Sequence, residues 1–196
     1  QYTDLEKRIL SLSSKIPMTA EEISEIMAAA GQSNVATNNK ELTEFTEGAA
    51  KMGIAFDISA EQAGDWMAKW RTSFKMSQKE VITLSDQINY LSNTSAANAS
   101  QISSIVTKIG PLGEVAGLAS GEIAALGATL VSVGVNEDVA ATGIKKVMTV
   151  MTAGSAATKR QTGVLNKLGL SATDLAKHMQ TDAQGAILQF LEAVKK

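Results

Sequence analysis

One short pattern recurs along this chain and restricts its fold more than any other feature. An apolar or small residue is followed by Ser or Thr, then by a small or polar residue, with an acidic or amide residue close behind. It occurs as Met18-Thr19-Ala20-Glu21-Glu22, Ile58-Ser59-Ala60-Glu61-Gln62, Met76-Ser77-Gln78-Lys79-Glu80, Ala119-Ser120-Gly121-Glu122 and Leu170-Ser171-Ala172-Thr173-Asp174. Each hydroxyl can accept a bond from one of the N–H groups that a first helical turn leaves without an intrahelical partner. Glu22, Gln62 and Glu80 stand where a side chain can reach back to the cap N–H and complete a capping box. The pairs Met18/Ile23, Ile58/Ala63, Met76/Val81, Ala119/Ala124 and Leu170/Leu175 have the spacing of a hydrophobic staple across the start. Five such starts in one chain predict an α-helical protein.

Further caps fill the intervals: Asn38 with Glu41 behind it, Asn136, Ser155 and Asp182. Gly31, Gly53, Gly110, Gly134, Gly154 and Gly169 stand where helices are expected to stop in left-handed C-caps. Between these points the apolar spacing is helical, as in Leu42, Phe45, Ala49 and Met52, in Val81, Leu84, Ile88 and Leu91, and in Ile187, Leu188, Leu191 and Val194. No sustained alternation of period two is present, so no strand is expected. The fold class is all-α: an irregular bundle of about ten to twelve short helices and helical hairpins, at the usual length of ~11 residues. Leu5, Ile9, Leu12 and Ile16 form a short heptad-like seam before Pro17. Residues 1–16 are therefore read as the coiled-coil-like end of a longer N-terminal helix. Residues 17–196 are read as the core module, divisible into sub-units 17–75 and 76–196. Thr19–Met52 and Ser120–Met151 each run as capped helix, glycine, Asn-capped helix and methionine, a degenerate helical-hairpin repeat. A start at Gln1 without a leader pattern, and the charged end Lys195–Lys196, read as a fragment of a longer chain.

Apolar residues make up 44% of the chain but aromatics only 4%, so the core must rely on aliphatic side chains and close backbone approach. The run GEVAGLASGEIAALGATL, residues 113–130, with Gly113, Gly117 and Gly121 four apart, poses that question most sharply. A phosphate loop would need a strand before it and usually a Lys after it, and neither is present. A membrane span needs about 20 apolar residues, whereas Ser120 starts a helix in mid-run and leaves only Ile123 to Val135. A buried central helix is expected, with insertion of residues 113–135 as the alternative. Trp66, Trp70 and Phe74 lie on one helical stripe, expected to be buried rather than to serve as an exposed docking face. His178, the one histidine, has no Cys to share a metal and no catalytic partner motif, and is expected near a helix end. A net charge of -2 with scattered Lys and Arg argues against direct nucleic-acid binding, and Lys145–Lys146 and Lys159–Arg160 read as solvated faces. No catalytic, cofactor-binding or metal-ligating residue is assigned, no cofactor is expected, and enzymatic activity is not expected.

From Met76 onward the order of motifs resembles the core region of the tape measure proteins of long-tailed bacteriophages. The stretches are MSQKEVITLSDQINYLSNTSAANASQ, then KIGPLGEVAGLASGEIAALGATLVSVGVNEDVAATGIKKVM, then VLNKLGLSATDLAKHM; PMTAEEISEIMAAAGQ and ELTEFTEGAAKMGIAFDISAEQAG before them fit as well. The family's Ala-Gly-Thr-Ala-like run is replaced here by Ala140-Ala141-Thr142-Gly143, so only its close-packing role carries over. The resemblance implies a structural protein of the virion tail, present in a phage or prophage, made in the host cytoplasm and housed in the tail lumen. Implied roles are tail assembly, length determination and genome ejection. Implied partners are tail tube and tail-tip or baseplate proteins, tail assembly chaperones, other copies through helix self-association, and the host membrane during ejection.

Overall fold

Almost every helix begins where a side chain is available to hold its first turn. The computed structural model describes residues 2–32, 35–36 and 38–195, so the Gln1 and Lys196 named above lie outside it. Among the described residues there are eleven α-helices and no strand: α1 Tyr2–Ser13, α2 Ala20–Gln32, α3 Asn39–Phe56, α4 Ala60–Ser73, α5 Gln78–Thr94, α6 Ala99–Ala116, α7 Ser120–Ser132, α8 Glu137–Thr152, α9 Lys159–Lys167, α10 Ala172–Thr181 and α11 Ala183–Lys195. The all-α expectation is met. Thr19 and Glu22 form a full capping box on α2, with the Glu22 N–H donating to Thr19 Oγ1 at 3.2 Å and the Thr19 N–H to Glu22 Oε2 at 2.7 Å. Ser77 and Glu80 do the same on α5 at 3.4 and 2.7 Å. Ser59, Ser171, Asn38, Asn136 and Asp182 each accept from the first turn that follows them. At Ser59 only this half of the box forms; Gln62 does not return the bond.

Two starts and three stops differ from expectation, each for a local reason. Ser120 is the first residue of α7, not its cap; Ala119 takes the cap position and Glu122 accepts from its N–H at 2.9 Å. Ser155 lies inside a single 3₁₀ turn, Gly154–Ala156, while Thr158 caps α9 and forms a box with Gln161. Gly134, Gly154 and Gly169 have positive φ between helices as expected, but Gly31 and Gly53 lie within α2 and α3. The left-handed residue that ends α3 is Asp57 at φ 53°, a type that tolerates this region better than most. Gly53 instead makes room for the returning chain, because a Cβ there would lie 3.1 Å from the Ile58 carbonyl. Gly110, at φ +23°, bends α6 and Pro111 restarts it.

Buried apolar residues from Leu12 to Ile187 form one continuous cluster, so α1 contributes Leu12 to the same core as the rest. The substantial contacts all join helices that are neighbours or next-but-one in the chain, including α3 on α4, α6 on α7, and α6 on α8. Both members of the suspected repeat fold as a packed helix pair, α2 on α3 and α7 on α8. Trp70 anchors α4 on α6: it is fully buried, donates from Nε1 to Thr107 Oγ1 at 2.8 Å, and stacks on Trp66 with ring centres 6.5 Å apart. Lys108 on α6 pairs with Asp138 on α8, and Arg71 donates to the Val35 carbonyl, tying down the connection after α2.

The capping carboxylates set a dependence on pH. The Glu22 carboxyl is held below its ordinary 4.5 by the Thr19 backbone N–H first and the Thr19 hydroxyl second; that of Glu80 is held down by the Ser77 hydroxyl and then the Ser77 N–H. A carboxylate depressed in the folded state adds stability above its unfolded value and loses it as pH falls through the folded value. Thermal midpoints measured from pH 6 to pH 2 should therefore fall more steeply for the wild type than for the Glu22→Gln, Glu80→Gln double variant, whose amides still accept but do not titrate in this range. Parallel curves would show that these boxes do not couple to folding.

Candidate interaction site

The sequence AQGAILQFLEAVK of α11 sets a broad apolar face against a polar side carrying Gln189 and Glu192. Asp182 caps the helix and His178 Nδ1 lies 2.9 Å from Gln189 Oε1, so α11 is tied to α10 at both its first and second turns. That orientation turns Ala183, Ala186 and Ile187 into the core, with Phe190 partly covered. Leu188, Leu191 and Val194 of the same helix are 55%, 50% and 54% exposed. The apolar set expected from spacing alone, Ile187, Leu188, Leu191 and Val194, is thus split, with only Ile187 buried.

Across from this stripe lie α5 and α7, and the space between is an open groove of about 740 Å³. Leu84 and Gln87 of α5, Leu126 and Thr129 of α7, and Leu188 and Leu191 of α11 line it, with Phe74 and Met76 at one end. A smaller hollow beside it is bounded by Asp86, Tyr90 and Ala125, and Tyr90 is largely exposed. The charged residues among the described lining of the two are Glu80, Glu122 and Asp86; neither holds a Lys, Arg or His. The geometry offers apolar contact with an acidic rim, a surface for binding a side-chain stripe rather than for bond chemistry.

The glycine ladder is what brings these walls together. A Cβ at Gly121 would lie 2.6 Å from Gln87 Oε1 of α5, a contact the exposed glutamine relieves by rotating away. At Gly127 it would stand 3.0 Å from Ile105 of α6, and at Gly113 it would overlap Ile123 and touch Phe74. Gly117 turns the chain at φ +77° with the Met179 carbonyl of α10 only 2.9 Å from where a Cβ would be. The ladder serves close helix contact, and residues 113–135 are divided between the end of α6 and α7. Among the described residues no helix is long and apolar enough to cross a membrane. The aromatic stripe is mainly core, as expected, except that Phe74 reaches the groove. His178 sits in the last turn of α10, with Nε2 3.7 Å from Asp182 Oδ2. No group of three or more His, Cys, Asp or Glu that could hold a metal ion occurs among the described residues.

Spacing missed the groove because periodicity marks the apolar face of α11 but not where along it burial stops. The readable signal was the breadth of that face, which Leu188, Leu191 and Val194 extend beyond the buried residues.

Comparison with known proteins places this architecture. Residues 6–196 match the family described as phage-related minor tail protein. A probable tape measure protein of Halomonas phage phiHAP-1 is 32% identical over 204 residues, covering all of this chain and 24% of the relative. The chain thus spans about a quarter of the length of that relative. No solved structure matches. Since the family match runs unbroken from residue 6 to residue 196, the chain belongs to the phage-related minor tail proteins.

Proposed function

We propose that this chain is a docking module of a tape measure protein, structural rather than enzymatic, that binds tail components during assembly and is carried out with the genome at ejection. Its place is the tail lumen, and its partners are drawn from tube, tip or baseplate proteins and assembly chaperones. The observation that carries this reading is the open apolar groove between α5, α7 and α11. Its dimensions as a ruler support it as well. A helix advances about 1.5 Å per residue, so residues 17–196 laid out as one helix would reach about 270 Å. Here the longest helices have 18 residues, about 27 Å, and fold back on their neighbours. Length determination then belongs to the remainder of a tape measure chain, to which this module is attached. Insertion through residues 113–135 has no such support, because Gly113, Gly117 and Gly127 of that segment are taken up by internal contacts.

Deleting residues 17–196 in frame from the phage gene and measuring tails by negative-stain microscopy tests this. Tails of unchanged length, or a loss of tails altogether, are the expected outcomes. Tails shortened by about 270 Å would mean that the segment lies extended as ruler instead. Infectivity of full-length tails lacking the segment reports on ejection separately.

A further inference from the structure

The groove also carries the chemistry of what fills it. Helix α11 buries Ala183, Ala186 and Ile187 and leaves Leu188, Leu191 and Val194 half-exposed along the same broad apolar face. The part of that face at the groove, Leu188 and Leu191, is apolar surface without cover among the described residues. The facing walls run from Ser120 to Thr129 on α7 and from Gln184 to Leu191 on α11, about 10–14 Å of helix each. That is the length of two to three helical turns, and Leu84, Leu126, Leu188 and Leu191 line it among the polar Gln87, Thr129 and Gln184.

Charge narrows the occupant further. Glu80 and Glu122 each hold an N–H at a helix start, which offsets roughly half a charge apiece and leaves both net negative. Asp86 adds a third carboxylate, and the described lining offers no cation to balance them. An anionic lipid surface would be repelled. A second copy related by a two-fold axis would set this acidic rim against its own image, because an isologous interface places the same patch on both sides.

Resting on the docking reading above, we infer that the groove receives a two- to three-turn amphipathic helix of another tail protein. Its apolar side chains, at i, i+3 or i+4, and i+7, pack among Leu126, Leu188 and Leu191, and its flanking Lys or Arg residues face Glu80, Asp86 and Glu122.

The test places the photo-crosslinker p-benzoylphenylalanine at Leu191 in the full-length protein during tail assembly and sequences the captured peptide by mass spectrometry. The expected product is a segment of a different protein with apolar residues at helical spacing and at least two flanking cations. A synthetic peptide of that segment should bind the wild-type protein and lose about tenfold or more in affinity, with a flatter salt dependence, to the Glu80→Gln, Asp86→Asn, Glu122→Gln variant. The amides keep the two caps, so circular dichroism of that variant should match wild type. Leu188→Asp with Leu191→Asp should abolish peptide binding while leaving the helix content intact. Capture of an acidic or irregular segment, of lipid, of another copy or of a later part of the same chain would overturn the inference. Unchanged affinity in the charge variant would overturn it as well. Capture of another copy would leave the docking reading standing. No capture, together with normal numbers of infectious tails in the Leu188→Asp, Leu191→Asp phage, would defeat both.

Discussion

Trp70→Ala is expected to lower the free energy of unfolding by about 3–5 kcal/mol. The indole is among the largest fully buried side chains and sits where α4 meets α6. Its neighbours are helices held in place by their own caps and turns, so the cavity cannot close by a simple shift of one element. Against a usual total of about 5–15 kcal/mol, the loss removes a large share of the stability. Trp70→Phe separates volume from bonding. It keeps a ring beside Trp66 but gives up the 2.8 Å bond to Thr107, and should cost less than the alanine. Urea titration followed by circular dichroism gives all three values. An alanine variant within about 1 kcal/mol of wild type would mean that α4 and α6 are not packed through this side chain.

Gly117→Val should cost roughly 2–5 kcal/mol, from two sources that add. A branched side chain at φ +77° meets its own backbone, and its Cβ would lie 2.9 Å from the Met179 carbonyl. That oxygen belongs to the backbone of α10 and cannot rotate out of the way. Gly163→Ala provides the contrast. Gly163 lies inside α9 with nothing within 4 Å of a new Cβ, so the change should stabilise by about 0.5–1 kcal/mol. Thermal denaturation of both variants decides whether the position of a glycine or merely its presence matters. Equal and small effects would mean that the turn after α6 does not approach α10 closely.

The contrast between these two glycines also explains how far the sequence could be read. Caps were legible because they depend on residues three apart in the chain; Thr19, Ser59, Ser77 and Ser171 all hold the helices expected of them. Where the reading slipped, the acceptor three residues on held the correct register. Glu122 points back to Ala119 and Gln161 to Thr158, not to Ser120 and Ser155. Glycines were less legible, since the same residue type serves a left-handed stop at Gly169 and a close approach at Gly53. The groove was not legible at all from spacing. How α11 is set against α10 depends on the Asp182 cap and the His178–Gln189 contact, and neither is a property of the helix's own periodicity.

The order in which helices touch has a mechanical consequence. Substantial contacts that join neighbours and next neighbours give short loop closures, the topology that favours fast folding, so each helix can settle soon after it is synthesised. Tension reverses that sequence. A force applied beyond α11 loads its seam with α10 before any other, and peeling α11 away removes one wall of the groove. Whatever is docked there would be released first, before the deeper helices around Trp70 begin to yield.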